Sequence, residues 1–477
     1  MLSYHSKDNS SNLSIVAHQF KTDGSDAITG PDAYYSQGPE RQALSLAPCS
    51  TNETRMGKSV YLSLNHYDTT FSAYMANIYR GDYMGYFHYL YNLRDYTPHK
   101  LRQHMLQLSH EINLNPLLKM SIKAGSQQYK FFLEHLYLYP PGFGEPSGIE
   151  LLTEVLERKN YANFDVSYHF ENQRFLLGLE YISTKMMSSY HMEMYRHIYS
   201  LISQYECQLF DNFSLTLGMR YDNYNDGFDN YDDIDNNLSP RISGVYRLGS
   251  NHIFKCQFQK AFRPAAFGEL ASNIDIKPPR LNTYELSYTY KSAFSRGRIN
   301  LYHSILRDVI QTKDPSPEPF FTYVNTNKIR SRGCELELEH QLFQPLKIVT
   351  NAAFMYSKNL ETNKGMPLQT DFIGNAGIIY SPVPLVNIST RYRYLGNRTR
   401  EEGDNRNELA GYHKLDMSMM INALKISTKI RMGIDNILNE DIRVPTSVAH
   451  IYFKNQTYPG DYPREGRIMW FDIAYEF

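Results

Sequence analysis

The feature that most constrains this chain is a strand-like alternation of apolar and polar side chains that recurs along its length. It is clearest in the closing stretch "GRIMWFDIAYEF", where the alternate residues on one face are Met469, Phe471, Ile473, Tyr475 and Phe477. Asp472, Ala474 and Glu476 fall on the other face. The same pattern recurs at 174–181, 212–222, 282–290 and 425–435. A period of two is typical of β-strands with one apolar and one wet side.

Two kinds of all-β protein fit this alternation. No apolar run in the sequence reaches the roughly 18 residues of a membrane-spanning helix, which excludes that class. A transmembrane barrel needs only about 9 to 11 residues per strand, facing lipid and lumen in turn. A water-soluble sandwich gives the same alternation, because its outer faces are also wet.

The lengths of the connections favour the barrel. Short links at 170–173, 210–212, 248–251, 343–346, 381–384 and 422–425 alternate with long polar ones at 131–160, 222–238, 262–281, 311–328, 396–411 and 437–466. An up-and-down barrel with tight turns at one rim and long loops at the other has this order. The sequence therefore predicts a large antiparallel up-and-down transmembrane β-barrel at 57–477, as one unit. Residues 1–56 are predicted to be loop-rich, with one weaker strand at 12–20.

Composition and motifs exclude several functions. With 49 basic and 50 acidic residues, the net charge of −1 indicates no nucleic-acid partner. The four cysteines are widely scattered and are predicted to form neither a metal nor a redox centre. We find no nucleophile elbow, zinc-protease motif or phosphate-binding glycine loop, and so predict no enzyme and no cofactor.

Two segments raise the question of metal binding. "HMEMYRH" (191–197) brings together two histidines and a glutamate, but a strand or loop does not give them helical ligand spacing. In "DNYNDGFDNYDD" (222–233), Asp222, Asp226, Gly227 and Asp233 occupy calcium-loop positions, whereas Tyr224 breaks the pattern. A solvated acidic outer loop is the favoured interpretation of the second segment, and calcium binding there is left open.

Several stretches, taken in order, resemble the barrel of TonB-dependent outer-membrane receptors. "AFRPAAFGEL" (261–270) and "YELSYTY" (284–290) are similar to a conserved segment of that family and the strand after it. "LRDVIQ" (306–311) with "YVNTNKIRSRGCELELEH" (323–340), "GIDNILNED" (433–441) and "REGRIMWFDIAYEF" (464–477) resemble three further family motifs. The resemblance is strong from about residue 240 onward.

The resemblance implies an architecture and a location. Family members have a wall of 22 strands around an N-terminal plug, of which about 20 strands are recognisable here. The final strand would carry the outer-membrane assembly signal, formed by Phe471, Ile473, Tyr475 and Phe477. The expected location is the outer membrane of a Gram-negative bacterium. The opening residues lack a secretion signal, and we expect either a fragment of a longer receptor or a plug supplied by another polypeptide.

The resemblance also implies a function, namely uptake of a large scarce nutrient such as a ferric siderophore, cobalamin or a similar chelate. Expected partners are that ligand, outer-membrane lipid, the barrel assembly machinery and, where a plug is present, TonB. Candidate ligand contacts are outer-loop aromatics, which could equally pack loops together: Tyr139, Phe143, Phe228, Tyr231, Phe320, Phe321, Tyr323, Tyr452 and Phe453. Haem receptors of the family carry a histidine in the loop after the segment that "AFRPAAFGEL" resembles. No histidine lies between Pro264 and Leu281, so haem is disfavoured. The alternatives are a plugless binding protein or adhesin, a non-functional fragment, and a porin.

Overall fold

The computed structural model describes most of the 477-residue chain. The residues outside the description are 1, 7–9, 26, 33–34, 36–37, 44, 82–98, 140–148, 190–192, 229–230, 314–321, 327, 403, 424–426, 447–459 and 476–477. Within the strands and helices, the side chains of 2–3, 5, 41, 134–139, 149–152, 228, 231–234, 313 and 423 are also outside it.

The chain folds almost entirely into β-strands. The strands are β1 (Leu2–His5), β2 (Ser11–Thr22), β3 (Arg55–His66), β4 (Thr69–Arg80), β5 (His99–Asn115), β6 (Leu118–Tyr139), β7 (Ile149–Phe170), β8 (Gln173–Ser188), β9 (Glu193–Phe210), β10 (Phe213–Phe228), β11 (Tyr231–Leu248), β12 (His252–Phe262), β13 (Arg280–Lys291), β14 (Ser295–Arg307), β15 (Val309–Lys313), β16 (Thr322–Thr326), β17 (Ile329–Phe343), β18 (Leu346–Asn359), β19 (Phe372–Val383), β20 (Val386–Leu395), β21 (Tyr412–Ala423), β22 (Thr428–Asp435), β23 (Arg443–Val444), β24 (Tyr462–Pro463) and β25 (Ile468–Tyr475). Two short helices, α1 (Pro39–Gln42) and α2 (Phe267–Ser272), complete the described elements. Neither helix is long or apolar enough to cross a membrane.

One antiparallel sheet of 21 strands forms the wall, and each strand pairs with the next wall strand in the chain. The hairpins β15–β16 and β23–β24 stand apart from it as separate two-stranded sheets. The all-β, up-and-down architecture is therefore confirmed. The strand predicted at 12–20 is present as β2, while β1 is an additional short strand that the alternation did not indicate.

The two faces of the wall differ in chemistry. In β8, β9 and β10 one face carries Leu179, Leu201 and Tyr221, which are 52%, 41% and 39% exposed. On the opposite face Ser200 lies directly between Glu180 and Asp222, and its hydroxyl donates to Asp222 Oδ1 at 2.6 Å. In a membrane barrel the apolar face contacts hydrocarbon and the polar face lines an aqueous lumen. The exposed apolar side chains are therefore placed outward, and the hydrogen-bonded polar ones inward.

Large aromatic rings cover glycines on neighbouring strands of this wall. A Cβ built on Gly333 would lie 2.4 Å from the ring of Tyr302, which is its direct ladder partner. The same arrangement joins four further ladder pairs: Phe20 with Gly57, Tyr161 with Gly125, Tyr195 with Gly227, and Trp470 with Gly433. A glycine in a strand interior often marks such a close approach, and the aromatic ring restores the packing that the missing side chain would have supplied.

The long loops predicted at 131–160 and 222–238 are wrong in extent, because both are much shorter in the structure. Strands β6 and β7 run through most of 131–160, and β10 and β11 run through most of 222–238. Both pairs continue beyond the apolar band, where the outward face is no longer in hydrocarbon and need not be apolar. Because residues on both faces of these strand ends are polar, their sequence resembles that of a loop. Because 222–228 pairs residue by residue with β9 and β11, this segment is not a calcium-binding loop.

The first and last strands of the sheet approach each other at the long-loop rim. β1 pairs only with Asn12–Ile15 of β2. Among the described residues, the rest of β2, Val16–Thr22, therefore pairs with β3 on one side and with no strand on the other. A cavity of about 780 Å³ lies here, lined by the end of β2, the start of β3 and the start of β25. The wall therefore curls until its two edges face each other across this seam.

Candidate functional site

The connection between β12 and β13 forms a compact structure at the long-loop rim. After β12, the chain turns through Arg263 and enters α2. The guanidinium of Arg263 donates two hydrogen bonds of 2.9 Å to the carboxylate of Glu269, which also accepts the backbone N–H of Ala266 at 2.6 Å. Glu269 thus satisfies an amide at the start of the helix that has no intrahelical partner.

An ion pair anchors this connection to the lumen face of the wall. Arg196 on β9 lies directly opposite Asp226 on β10 and makes a two-pronged pair with its carboxylate. The same guanidinium donates to the carbonyl oxygen of Ala265 at 2.7 Å and lies 5.1 Å from the centre of the Phe267 ring. The Arg196 and Asp226 side chains are only 12% and 14% exposed. The segment before α2 is therefore held inward by a largely buried, charge-assisted contact.

An apolar cluster supports the same contact and connects it to the next loop. Its buried members are Met194, Ala265, Phe267, Leu270 and Ile276, with Tyr323 and Ile310 of hairpin β15–β16 packed against them. Asn325 of this hairpin donates to the carbonyl oxygen of Lys277 at 2.8 Å and accepts its backbone N–H at 2.6 Å. The β12–β13 connection and the hairpin thus form one unit at the mouth of the barrel, which we call the inner mouth.

A second unit, which we call the arginine clasp, joins the β20–β21 connection to the β22–β25 connection. Its members are Arg398, Arg400, Asp404, Arg406 and Asp461. Arg400 donates to both oxygens of Asp461 at 2.5 and 2.8 Å. Arg406 donates to Asp404 at 2.7 Å, and the 6%-exposed Arg398 donates to the carbonyl oxygen of Arg443 at 2.5 Å.

The carboxylates of both units are held in the charged form. Burial alone would raise the pKa of Asp461, but hydrogen bonds from Arg400 and the backbone of Thr446 outweigh it and lower that pKa. Hydrogen bonds from Arg406 lower the pKa of Asp404, against a smaller opposing effect of burial. The pKa of Glu269 is likewise lowered, because Arg263 and the Ala266 amide outweigh the cost of burial.

No cluster among the described residues can hold a metal ion. In the segment 191–197, His191 lies outside the described residues, and Glu193 pairs with Lys185 at 2.6 Å. The imidazole Nδ1 of His197 is 3.0 Å from the hydroxyl of Tyr181. The polar groups that the structure places at the mouth bind one another, which suits a rigid rim for a bound ligand rather than a catalytic centre.

The structure places only part of the predicted ligand-contacting set. Tyr323 packs in the inner mouth, and its backbone carbonyl accepts the Asn273 side-chain amide at 2.8 Å. Tyr139, Phe228 and Tyr231 lie at the ends of strands, with side chains outside the description. The others fall outside the described residues altogether: Phe143, Phe320, Phe321, Tyr452 and Phe453. Ligand contact by these aromatics stays a prediction.

The terminal strand can be placed more fully. Phe471, Ile473 and Tyr475 are 62%, 59% and 62% exposed on the apolar face of β25, which pairs with β22. Phe477 lies outside the described residues. The alternation of β25 therefore matches its expected position in the wall, and the role of these side chains in assembly stays a prediction.

The ion pairs that organise the mouth were not found from the sequence, although Asp226 and the segment 261–270 were singled out for other reasons. Arg196 and Asp226 are 30 residues apart and meet only through the β9–β10 register. Arg400 and Asp461 are 61 residues apart on two irregular connections. A register for β9 and β10 would have revealed the first pair, whereas no signal in the sequence points to the second.

Comparison with known proteins places the chain among receptors. Residues 50–437 match the family described as "TonB dependent receptor-like, beta-barrel". The ferrioxamine receptor of Yersinia enterocolitica is 24% identical over 206 residues, which are 41% of this chain and 28% of that protein. An uncharacterized TonB-dependent receptor of Haemophilus influenzae is 26% identical over 163 residues, which are 32% of this chain and 47% of that protein. The matched regions thus span less than half of either relative.

Solved structures show the same fold. The ferric enterobactin receptor PfeA of Pseudomonas aeruginosa superposes with a TM-score of 0.78 at 14% identity, covering 98% of this chain and 76% of that one. The FrpB iron transporter of Neisseria meningitidis gives 0.76 at 13% identity, covering 100% and 78%. The copper transporter OprC gives 0.76 at 14% identity, covering 98% and 76%.

These relatives are receptors and transporters, so the prediction of a non-enzymatic protein is confirmed on that ground. The family match covers most of the chain and agrees with the 21-stranded antiparallel wall and its two chemically distinct faces. The chain belongs to the TonB-dependent receptor-like β-barrel family.

Proposed function

We propose that this chain forms the wall of an outer-membrane receptor that imports a ferric siderophore, with energy supplied through TonB. The observation that carries the proposal is the ordered mouth of the barrel, in which the inner mouth and the arginine clasp hold four connections at one rim. Four of the long connections are thus tied to each other or to the wall by specific contacts. Such a rim can present a preorganised surface to a large ligand.

The names of the relatives support iron as the cargo. One curated relative is a ferrioxamine receptor, and structural neighbours include a ferric enterobactin receptor and an iron transporter. OprC is a copper transporter, which keeps another metal among the outcomes to be tested. The described mouth has no ligand set for a bare ion, which favours a chelate in which the metal is already coordinated.

The remaining parts of the proposal concern domains and partners. We propose that 57–477 supplies most of the barrel, that the otherwise loop-rich segment 1–56 adds the wall strands β1 and β2, and that the last strand addresses the chain to the assembly machinery. A plug inside the lumen would couple ligand binding to TonB at the tight-turn rim. Whether the plug belongs to the same polypeptide or to another stays a prediction.

Growth on defined iron sources tests this function. The gene is deleted at its native locus and then restored, and growth is measured with ferrioxamine, ferric enterobactin or copper-limited medium. We expect the restored strain to grow on one of the ferric siderophores only when TonB is present. Growth that is independent of both the gene and TonB on every source would favour a plugless binding protein and would refute the proposal.

A further inference from the structure

Five basic side chains form a patch on the outward face of the wall. Arg280 is on β13, Arg307 on β14, Arg330 and Arg332 on β17, and Lys358 on β18; together they are the outer basic patch. Their positions alternate in phase with the outward apolar residues of the same strands, which include Leu286, Leu301, Leu336 and Phe354. The patch therefore faces the membrane side of the wall and not the lumen.

The register of the strands brings these side chains together. Arg280 lies directly opposite Arg307, and Arg330 lies directly opposite Lys358. Arg332 lies opposite His303, one outward position closer to the membrane than Arg330. Like charges directly opposite each other in a ladder are destabilising, so this arrangement has a cost unless an anion binds between them.

The height of the patch is defined by the residues next to it. On β13, Tyr284 is the second outward residue after Arg280, and Tyr356 on β18 lies in the same row across the strands. These two tyrosines are 49% and 51% exposed. The next outward row holds Leu286, Leu301 and Phe354, which are 53%, 46% and 50% exposed. Aromatic girdles mark the membrane interface of such barrels, with apolar side chains on the hydrocarbon side. The basic side chains thus lie at headgroup level, at the long-loop rim.

Within the described part of the chain, none of the five cations has an acidic partner. Arg332 Nε donates to His303 Nδ1 at 3.0 Å, and Lys358 Nζ donates to the side-chain oxygen of Asn363. A groove of about 720 Å³ runs beside them, and its lining includes Leu301, His303, Arg332, Phe354, Tyr356 and the acidic Asp371. Its apolar and aromatic side chains lie beside the Arg332 guanidinium, which suits an acyl chain with an anionic head.

A second outward basic surface provides a contrast. On β6 and β8, Lys130 pairs with Glu154 and Lys185 pairs with Glu193, each at 2.6 Å. These lysines carry their own counter-charges. The outer basic patch differs because, among the described residues, its cations have no acidic partner.

We propose that the outer basic patch binds a phosphate-bearing lipid of the outer leaflet, with the phosphate at the arginines and the acyl chains along the groove. Arginine is well suited to phosphate, since its planar guanidinium donates two parallel hydrogen bonds. Anionic headgroups attract clustered lysine and arginine at a membrane surface. This inference depends on the membrane location of the barrel and not on which nutrient it imports.

Lipid binding by the purified full chain tests the proposal. The protein is kept in a neutral detergent and titrated with dioleoyl phosphatidic acid or dioleoyl phosphatidylcholine, and lipid adducts are counted by native mass spectrometry. The patch variant is R307Q/R330Q/R332Q, and the matched control is K130Q/K185Q. Far-UV circular dichroism and resistance to trypsin establish that each variant retains the barrel.

We expect the natural chain to bind phosphatidic acid at least tenfold more tightly than phosphatidylcholine. The patch variant should lose roughly tenfold in affinity for phosphatidic acid, whereas the control variant should stay within about twofold. Equal losses in both folded variants would refute the patch as the site. Binding of inorganic phosphate as tight as that of phosphatidic acid would overturn the lipid assignment, since the acyl chains would then contribute nothing. If the patch variant fails to fold, the single variants R307Q and R332Q are compared with K185Q in the same assay.

Discussion

Replacing Arg196 with alanine should release the α2 segment from the wall while leaving the barrel folded. The substitution removes the two-pronged pair with Asp226 and the 2.7 Å hydrogen bond to the Ala265 carbonyl oxygen. It also removes the stacking of the guanidinium on Phe267. Asp226, whose side chain is 14% exposed, is left without its cation.

The size of the effect follows from these contacts. Hydrogen bonds to charged groups contribute about 1.5–3 kcal/mol each when well shielded, and removing one partner of a buried ion pair costs about 3–5 kcal/mol. Lumen water can reach the freed Asp226, so we expect a loss of about 2–3 kcal/mol in the free energy that holds the segment. That corresponds to an opening equilibrium about 30- to 150-fold larger.

Amide hydrogen exchange of a peptide spanning 263–279 measures this opening. The protecting bonds include those from Leu270 N–H to the Ala266 carbonyl and from Asn273 N–H to the Glu269 carbonyl. Arg263→Ala is the matched control, because Arg263 is 51% exposed and its pair with Glu269 should contribute at most about 1 kcal/mol. Equal acceleration in the two variants would refute the anchoring role of Arg196. Faster exchange throughout the wall strands would instead indicate loss of the barrel.

Two further outcomes are expected. Gly333→Ala should destabilise the wall by about 1–2 kcal/mol, because the new methyl group displaces the Tyr302 ring. In the control Gly297→Ala, the new Cβ would meet no atom closer than 3.9 Å, so this substitution should be neutral or slightly stabilising. Thermal unfolding in detergent compares the two variants, and equal losses of stability would contradict the packing of Tyr302 on Gly333. The arginine clasp should loosen in acid. Because the folded pKa values of Asp404 and Asp461 lie below the unfolded value of about 3.9, their stabilisation is fully present above that pH and is lost as pH falls through the folded values. Pepsin, which is active in acid, should therefore cleave the 396–411 connection faster as the pH falls from about 4 to about 1.5, relative to its cleavage of an unfolded peptide, and the absence of any increase would contradict this.

The wall was predictable because the alternation that identifies a strand depends only on the residues of that strand. In β13, the alternation of Tyr284, Leu286 and Tyr288 with Glu285 and Ser287 is written directly in the sequence, and it reappears as the two faces of the strand. Alternation of this kind follows from the pleat, so it needs no knowledge of the neighbours. The turn positions followed from the same pattern.

The ends of the strands and the mouth were not predictable for a different reason. Beyond the apolar band, residues such as Asn223 and Asn225 are polar on the outward face too, so the alternation that identifies a strand disappears although the ladder continues. The Arg400–Asp461 pair depends on how two irregular connections fold over each other. Helix α2 spans only Phe267–Ser272, which is too short for a helical period to be recognised.

The assignment of the two faces is tested most directly by spin labels along the terminal strand. In a chain whose four cysteines are replaced by serine, a nitroxide is attached in turn at each position of β25, Ile468–Tyr475, in lipid vesicles. Accessibility to oxygen, which concentrates in hydrocarbon, is compared with accessibility to a water-soluble nickel chelate. We expect high oxygen accessibility at Met469, Phe471, Ile473 and Tyr475, and high nickel accessibility at Trp470, Asp472 and Ala474. An accessibility profile without this two-residue period would contradict a membrane barrel with an aqueous lumen.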